Sequence, residues 1–224
     1  MNYIYLALEV LLIFLTMIIF YKFGKKDGLY VYIGLMSSIL SVILINTVDI
    51  LSFQVSIGIP IIIGIFLCSN IIVQRYGIDE VKRILYTYGV SYLVTFIIIG
   101  LVSLAYTKVF DITSNNVFDL LFGYGLNNFR CVISNFISII IMLWIGSGIY
   151  HSIRKSKNIL FISNVVTTFV ISFIESLVFV LIAYIGNFTG IELFGMISIR
   201  YIFEVIVSII GLIPVYFIVK FIDK

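Results

Sequence analysis

The sequence predicts an all-α fold: a polytopic integral membrane bundle of six to seven transmembrane helices, N-terminus outside and C-terminus cytoplasmic. Three observations carry this. Of 224 residues, 62% are hydrophobic and only 11% charged, against roughly 25% charged in soluble domains. The apolar residues gather in runs of about twenty, the length that crosses a bilayer as a helix. Basic residues fall mainly between alternate runs. A closed β-barrel is excluded, because its strands alternate apolar and polar over about ten residues. These runs are apolar on all sides, so the backbone within lipid must satisfy its own hydrogen bonds as helix.

One membrane domain, residues 1–224, contains spans near 3–22, 29–48, 55–73, 85–106, 128–150, 159–186 and 199–219. The first run is followed by Lys22, Lys25 and Lys26 and preceded by no basic residue, so it reads as a permanent span, not a cleaved signal. The second and third meet at a polar turn holding Asn46, Thr47, Asp49, Ser52, Gln54 and Ser56. Gly58, Pro60 and Gly64 follow. They either interrupt a helix at a midplane site or let helices approach closely. The third run ends on Cys68, Ser69 and Asn70, before Arg75, and Lys82 and Arg83 precede the fourth. Residues 107–127, with Asp111 and Asp119, form the longest connection, an expected external loop. The fifth run opens near Arg130 and carries Ser134, Asn135 and Ser138 along one edge.

Eleven of the fourteen basic residues lie after odd-numbered spans: Lys22, Lys25, Lys26, Arg75, Lys82, Arg83, Arg154, Lys155, Lys157, Lys220 and Lys224. Lys108, Arg130 and Arg200 lie on the other side. The positive-inside rule then sets the orientation.

Several functions are disfavoured by composition. Two cysteines and one histidine are too few for a zinc cage, a disulfide scaffold or a His-based redox centre. No cofactor is expected. A net charge of +3 is too small and dispersed for nucleic-acid binding, and no phosphate-binding Gly-Lys-Ser/Thr loop occurs. His151 beside Arg154 and Lys155 suits a lipid head-group contact better than catalysis, so the chain is not expected to be an enzyme. The expected partners are membrane lipids and a small solute; self-association is left open.

Ionisable residues inside apolar spans are costly and therefore functional candidates. Three carboxylates qualify: Glu9, Glu175 and Glu204. Thr168, Ser172, Glu175 and Ser176 recur at helical spacing in the sixth span, which puts them on one face. That stripe either binds a solute or hydrogen-bonds a neighbouring helix. Arg200 and Glu204, four residues apart, either neutralise each other or belong to a site. Glu9 lies two turns from the terminus and can snorkel outward.

The segment Cys68-Ser69-Asn70 through Gln74-Arg75-Tyr76-Gly77, followed by Lys82-Arg83, resembles a signature of the queuosine-precursor transporters, a vitamin-uptake-transporter-like family. Asn164 through Thr167-Thr168 and Glu175-Ser176 to Ala183 and Gly186 resembles a second block. Arg130 with Ser134, and Pro214 with Tyr216, also fit. The similarity covers most of residues 40–220. Asn70 stands where the family has Asp, Gln74 where it has Glu, Glu175 where it has Asp, Ile145 where a membrane Asp is expected, and Glu204 where Lys is common. The resemblance implies import of a 7-deazaguanine base or queuine across a prokaryotic inner or plasma membrane. The other reading is the substrate-binding subunit of an energy-coupling-factor transporter, which needs a separate ATPase. A 7-deazaguanine base presents adjacent donors that a carboxylate accepts in pairs. The expected substrate-binding residues are Glu175, Ser176, Thr168, Asn70, Asn135, Arg130, Arg200 and Glu204.

Overall fold

The computed structural model of the chain describes residues 2–43, 47–50, 53–105, 126–156 and 160–222. The loop expected at 107–127 lies, but for its last two residues, outside them. Among the described residues six helices are long and apolar enough to cross a membrane.

Helix α1 (Asn2–Ile43) has 42 residues, about 63 Å if straight, or twice a bilayer core. It does not run straight. Lys25 leaves helical geometry at φ 48° and ψ −122°. Beyond it the chain folds back: the Tyr32 hydroxyl donates to the Ile13 carbonyl at 3.3 Å, and the Phe20 and Tyr32 rings meet edge to face. The two limbs lie antiparallel, each long enough to be one of the expected spans. Gly28 makes the reversal possible, since a Cβ there would collide with the Phe20 carbonyl, whereas Gly24 faces open space. Gly28→Ala is expected to cost about 1–3 kcal/mol through overpacking against backbone. Gly24→Ala should leave thermal unfolding in detergent nearly unchanged, and equal midpoints for the two variants would refute this account of the turn.

The second limb ends at Ile43 rather than reaching 48. Thr47–Ile50 (β1) pairs antiparallel with Phe53–Ser56 (β2), Thr47 opposite Ser56. A short hairpin therefore replaces the simple turn. Helix α2 (Ile59–Tyr76) follows, with Pro60 in its first turn, where a missing N–H costs nothing. It runs uninterrupted, so Pro60 marks a helix start and not a break. Gly64 is a packing position: a Cβ there would strike Tyr32 and Ile13. Every residue from Ile59 to Val73 is buried, which makes α2 the centre of the bundle, packed on α1 and on the later helices.

A 3₁₀ turn (Ile78–Glu80) leads into α3 (Val81–Ala105), then come α4 (Leu126–Ser156), α5 (Leu160–Tyr184) and α6 (Gly190–Phe217). Helix α6 begins well ahead of residue 199 because Thr189 and Glu192 form a reciprocal capping box that satisfies otherwise orphaned N–H groups. Three contacts gather alternate connections at one end of the bundle. Lys26 pairs with Glu80 at 2.7 Å, Arg75 donates to the Val219 carbonyl at 2.6 Å, and Tyr150 donates to Gln74 at 2.9 Å. Large apolar side chains such as Phe23, Leu101, Ile191 and Ile213 are exposed and suit a lipid-facing rim.

Candidate functional site

The polar residues of α4, α5 and α6 converge inside the bundle. On α5 the face that begins at Asn164 continues through Thr168, Ser172, Glu175 and Ser176, all buried. A polar face on an otherwise apolar membrane helix must meet protein, because lipid offers it no hydrogen bond. Opposite it, α6 presents Arg200, Glu204 and Ser208, also buried, in steps of four residues.

At the centre stands Glu175. Its carboxylate accepts from Arg200 Nε at 2.9 Å and from the Arg200 terminal nitrogen at 2.8 Å, the bidentate arrangement that a guanidinium and a carboxylate form most strongly. Ser138 of α4 adds a third donor at 2.7 Å. The other face of Arg200 lies over the Phe179 ring, 4.0 Å from its centroid, a cation–π contact. Arg200 Nε also lies 3.1 Å from Glu204 Oε1, yet neither Glu204 oxygen has a hydrogen-bond partner among the described residues. Glu175 and Glu204 have no solvent exposure, and the Arg200 side chain is 7% exposed.

This geometry corrects the expected roles of several residues. Arg200 does not simply neutralise Glu204; its two-pronged bond goes to Glu175, twenty-five positions away. Glu175 is therefore largely occupied, and the carboxylate with open acceptors is Glu204. Among the described residues both amide atoms of Asn135 and the hydroxyl of Ser176 have no hydrogen-bond partner, and the Ser172 hydroxyl has none besides Glu204. Asn135 lies one helical turn along α4 from Ser138. Thr168 is engaged with Ser208 at 3.0 Å. Asn70 bonds Asn164 at 3.0 Å, about 16 Å along α5 from Glu175 at 1.5 Å per residue. Arg130 is not brought to the carboxylates. It donates to the Ile182 and Ile185 carbonyls at 3.0 Å each, closing the end of α5, whose last carbonyls lack intrahelical donors. Glu9 stays half-buried in α1, apart from this cluster.

Two features escaped sequence reasoning. Ser208 extends the four-residue steps of Arg200 and Glu204, a signal that was legible. Tyr88 was not legible, being one of fifteen tyrosines. It is fully buried, its hydroxyl has no hydrogen-bond partner among the described residues, and its ring stacks on Phe136 at 6.0 Å and 18°. Tyr92 completes this aromatic cluster, 5.5 Å from Phe136. Chemically, the site offers one guanidinium, two carboxylates, an open amide and hydroxyls beside aromatic surface. Among the described residues no group of three or more His, Cys, Asp or Glu gathers to hold a metal.

Comparison with known proteins places this geometry in context. Residues 56–219 match the model of a family described as "Putative vitamin uptake transporter". The chain is 22% identical over 202 residues to a "Probable queuosine precursor transporter" of Bacillus subtilis (strain 168), covering 89% of this chain and 86% of that protein. No solved structure matches.

Proposed function

Because the chain belongs to the family described as "Putative vitamin uptake transporter", we propose that it imports a queuosine precursor, a 7-deazaguanine base or queuine, through the α4–α5–α6 site. The chain is a transporter and a multi-pass protein of the prokaryotic plasma membrane. The basic end of the bundle is the cytoplasmic one in this reading, with the N-terminus outside.

The carrying observation is the pair of buried groups with hydrogen-bonding atoms open among the described residues, Asn135 of α4 and Ser176 of α5, in a bundle that also buries the stacked aromatic pair Tyr88 and Phe136. A buried polar atom without a partner is costly, and a solute that supplies the missing bonds recovers that cost. A flat heteroaromatic with adjacent donors and acceptors matches such a set. The Asn135 amide offers both a donor and an acceptor, and the aromatic pair offers a face to stack on. Arg200, held by Glu175, keeps its place while the solute binds. With these groups closed from solvent, entry requires the helices to part.

A strain unable to synthesise the base is expected to regain queuosine in its tRNA when supplied with this gene and with 7-cyano-7-deazaguanine, its aminomethyl relative or queuine. No recovery with any of the three would end the substrate assignment. Uptake by the chain alone in liposomes would set aside the energy-coupling-factor reading, which requires a separate ATPase.

A further inference from the structure

The Glu175–Arg200–Glu204 trio holds two carboxylates and one guanidinium, all but sealed from solvent. With both carboxylates ionised it carries one negative charge in excess, and an uncompensated charge is strongly disfavoured in a low-dielectric interior. The excess is localised. Glu175 has three donors, whereas neither Glu204 oxygen has a hydrogen-bond donor among the described residues. The Glu204 carboxylate stands against that of Glu175 and against the Ser172 hydroxyl, and Ser172 is itself fully buried with no other hydrogen-bond partner for its hydroxyl among the described residues. Two carboxylates at close quarters with an idle hydroxyl beside them form a site built for a positive charge, and an oxygen-only donor set favours a hard cation.

We propose that Glu204, with the Ser172 hydroxyl, binds one monovalent cation, a proton or Na⁺, whose passage is coupled to movement of the solute. The coupling rests on the transport reading above; the cation site itself does not. Glu175 of α5 and Arg200 on its own helix are the charged groups that bear on Glu204. Tyr88 of α3 bears in turn on Glu175. Helices α1 and α2 meet α6 through apolar Phe14 and Leu67 at Gly211. A column of polar pairs leads from the site toward the basic end: Thr168 with Ser208, Asn70 with Asn164, and Tyr150 with Gln74. It supplies a hydrated or hydrogen-bonded route once the helices part.

The test uses the full chain in liposomes with 7-cyano-7-deazaguanine under an inward proton gradient, an inward Na⁺ gradient, or neither. Wild type is expected to accumulate the base above equilibrium under one gradient, and the effective arm identifies the ion. Glu204→Gln is expected to equilibrate the base while losing at least about tenfold of the accumulation, one decade in the coupling equilibrium. Wild-type uptake indifferent to both gradients, as with a cationic solute that itself fills the charge, would overturn the proposal. So would undiminished accumulation by the variant.

A second arm needs no solute. The unfolding temperature of ligand-free protein in detergent should rise either with Na⁺ replacing choline or with acidification, since a ligand of the folded state stabilises it. Glu204→Gln should lack that response, and the same response in both proteins would refute the site. Should Glu204→Gln not fold, Ser172→Ala is expected to raise the half-maximal ion concentration about tenfold, and an unmoved midpoint would count against the site. If no base is transported yet the solute-free response holds, the substrate reading fails and the cation site stands.

Discussion

Arg200→Met is expected to be the most destabilising single substitution in the described part of the chain. It would leave Glu175 with Ser138 as its sole donor among those described and set two buried carboxylates against each other with no cation between them. Removing one partner of a buried ion pair typically costs about 3–5 kcal/mol. The side chain also covers Phe179, so packing is lost with the charge. Thermal unfolding in detergent should show a loss on that scale. The informative companion is the triple variant Arg200→Met, Glu175→Gln, Glu204→Gln. An apolar or neutral replacement of an entire buried ionic group is often close to neutral, so most of the stability should return without transport. A single variant within about 1 kcal/mol of wild type, on the scale of an exposed pair, would mean that the trio is not the buried network described.

Glu175→Gln is expected to abolish solute uptake while leaving the protein folded. The amide is nearly isosteric and can still accept from Ser138, and Glu204 remains to neutralise Arg200. What changes is the direction of the guanidinium. Freed from its two-pronged partner, Arg200 can turn to Glu204 and leave the position in which the site receives the solute. Hydrogen bonds to charged groups contribute about 1.5–3 kcal/mol, and each 1.4 kcal/mol is tenfold in binding. Solute affinity should therefore fall about 10- to 100-fold, measured by equilibrium binding beside an unfolding curve that moves far less than that of Arg200→Met. Wild-type affinity in this variant would remove Glu175 from the site.

The spacing of Thr168, Ser172, Glu175 and Ser176 was enough to put a polar stripe on one face of one span, because helix periodicity is local. Arg200 and Glu204 were legible as neighbours for the same reason. Which of the two carboxylates would hold the arginine was not legible. Sequence spacing favours the partner four residues away, whereas packing of α5 on α6 offers Glu175 both of its oxygens in bidentate register. Arg130 and Asn70 are polar residues of apolar runs that also fit the family pattern, which makes both site candidates. Packing gave Arg130 to the end of α5 and Asn70 to Asn164, each meeting a local hydrogen-bonding need. Tyr88 had no signal, since its importance comes from α3 lying beside α4. The pairing of β1 with β2 was hidden because polar residues such as Thr47, Asp49, Gln54 and Ser56 serve equally well in a loop between two helices.

The sequence by itself determined the solvent, the number of apolar runs, and the helices that carry charge into lipid. Those properties follow from composition and period, and the cost of exposed backbone and charge in a bilayer allows few alternatives. The tertiary structure alone decided where the few charges end: Arg200 on Glu175, and Glu204 with oxygens open among the described residues. Pairing between helices depends on packing of side chains remote in sequence. The 11% of charged residues that marked the chain as a membrane protein therefore left open which buried charge remains available to a ligand.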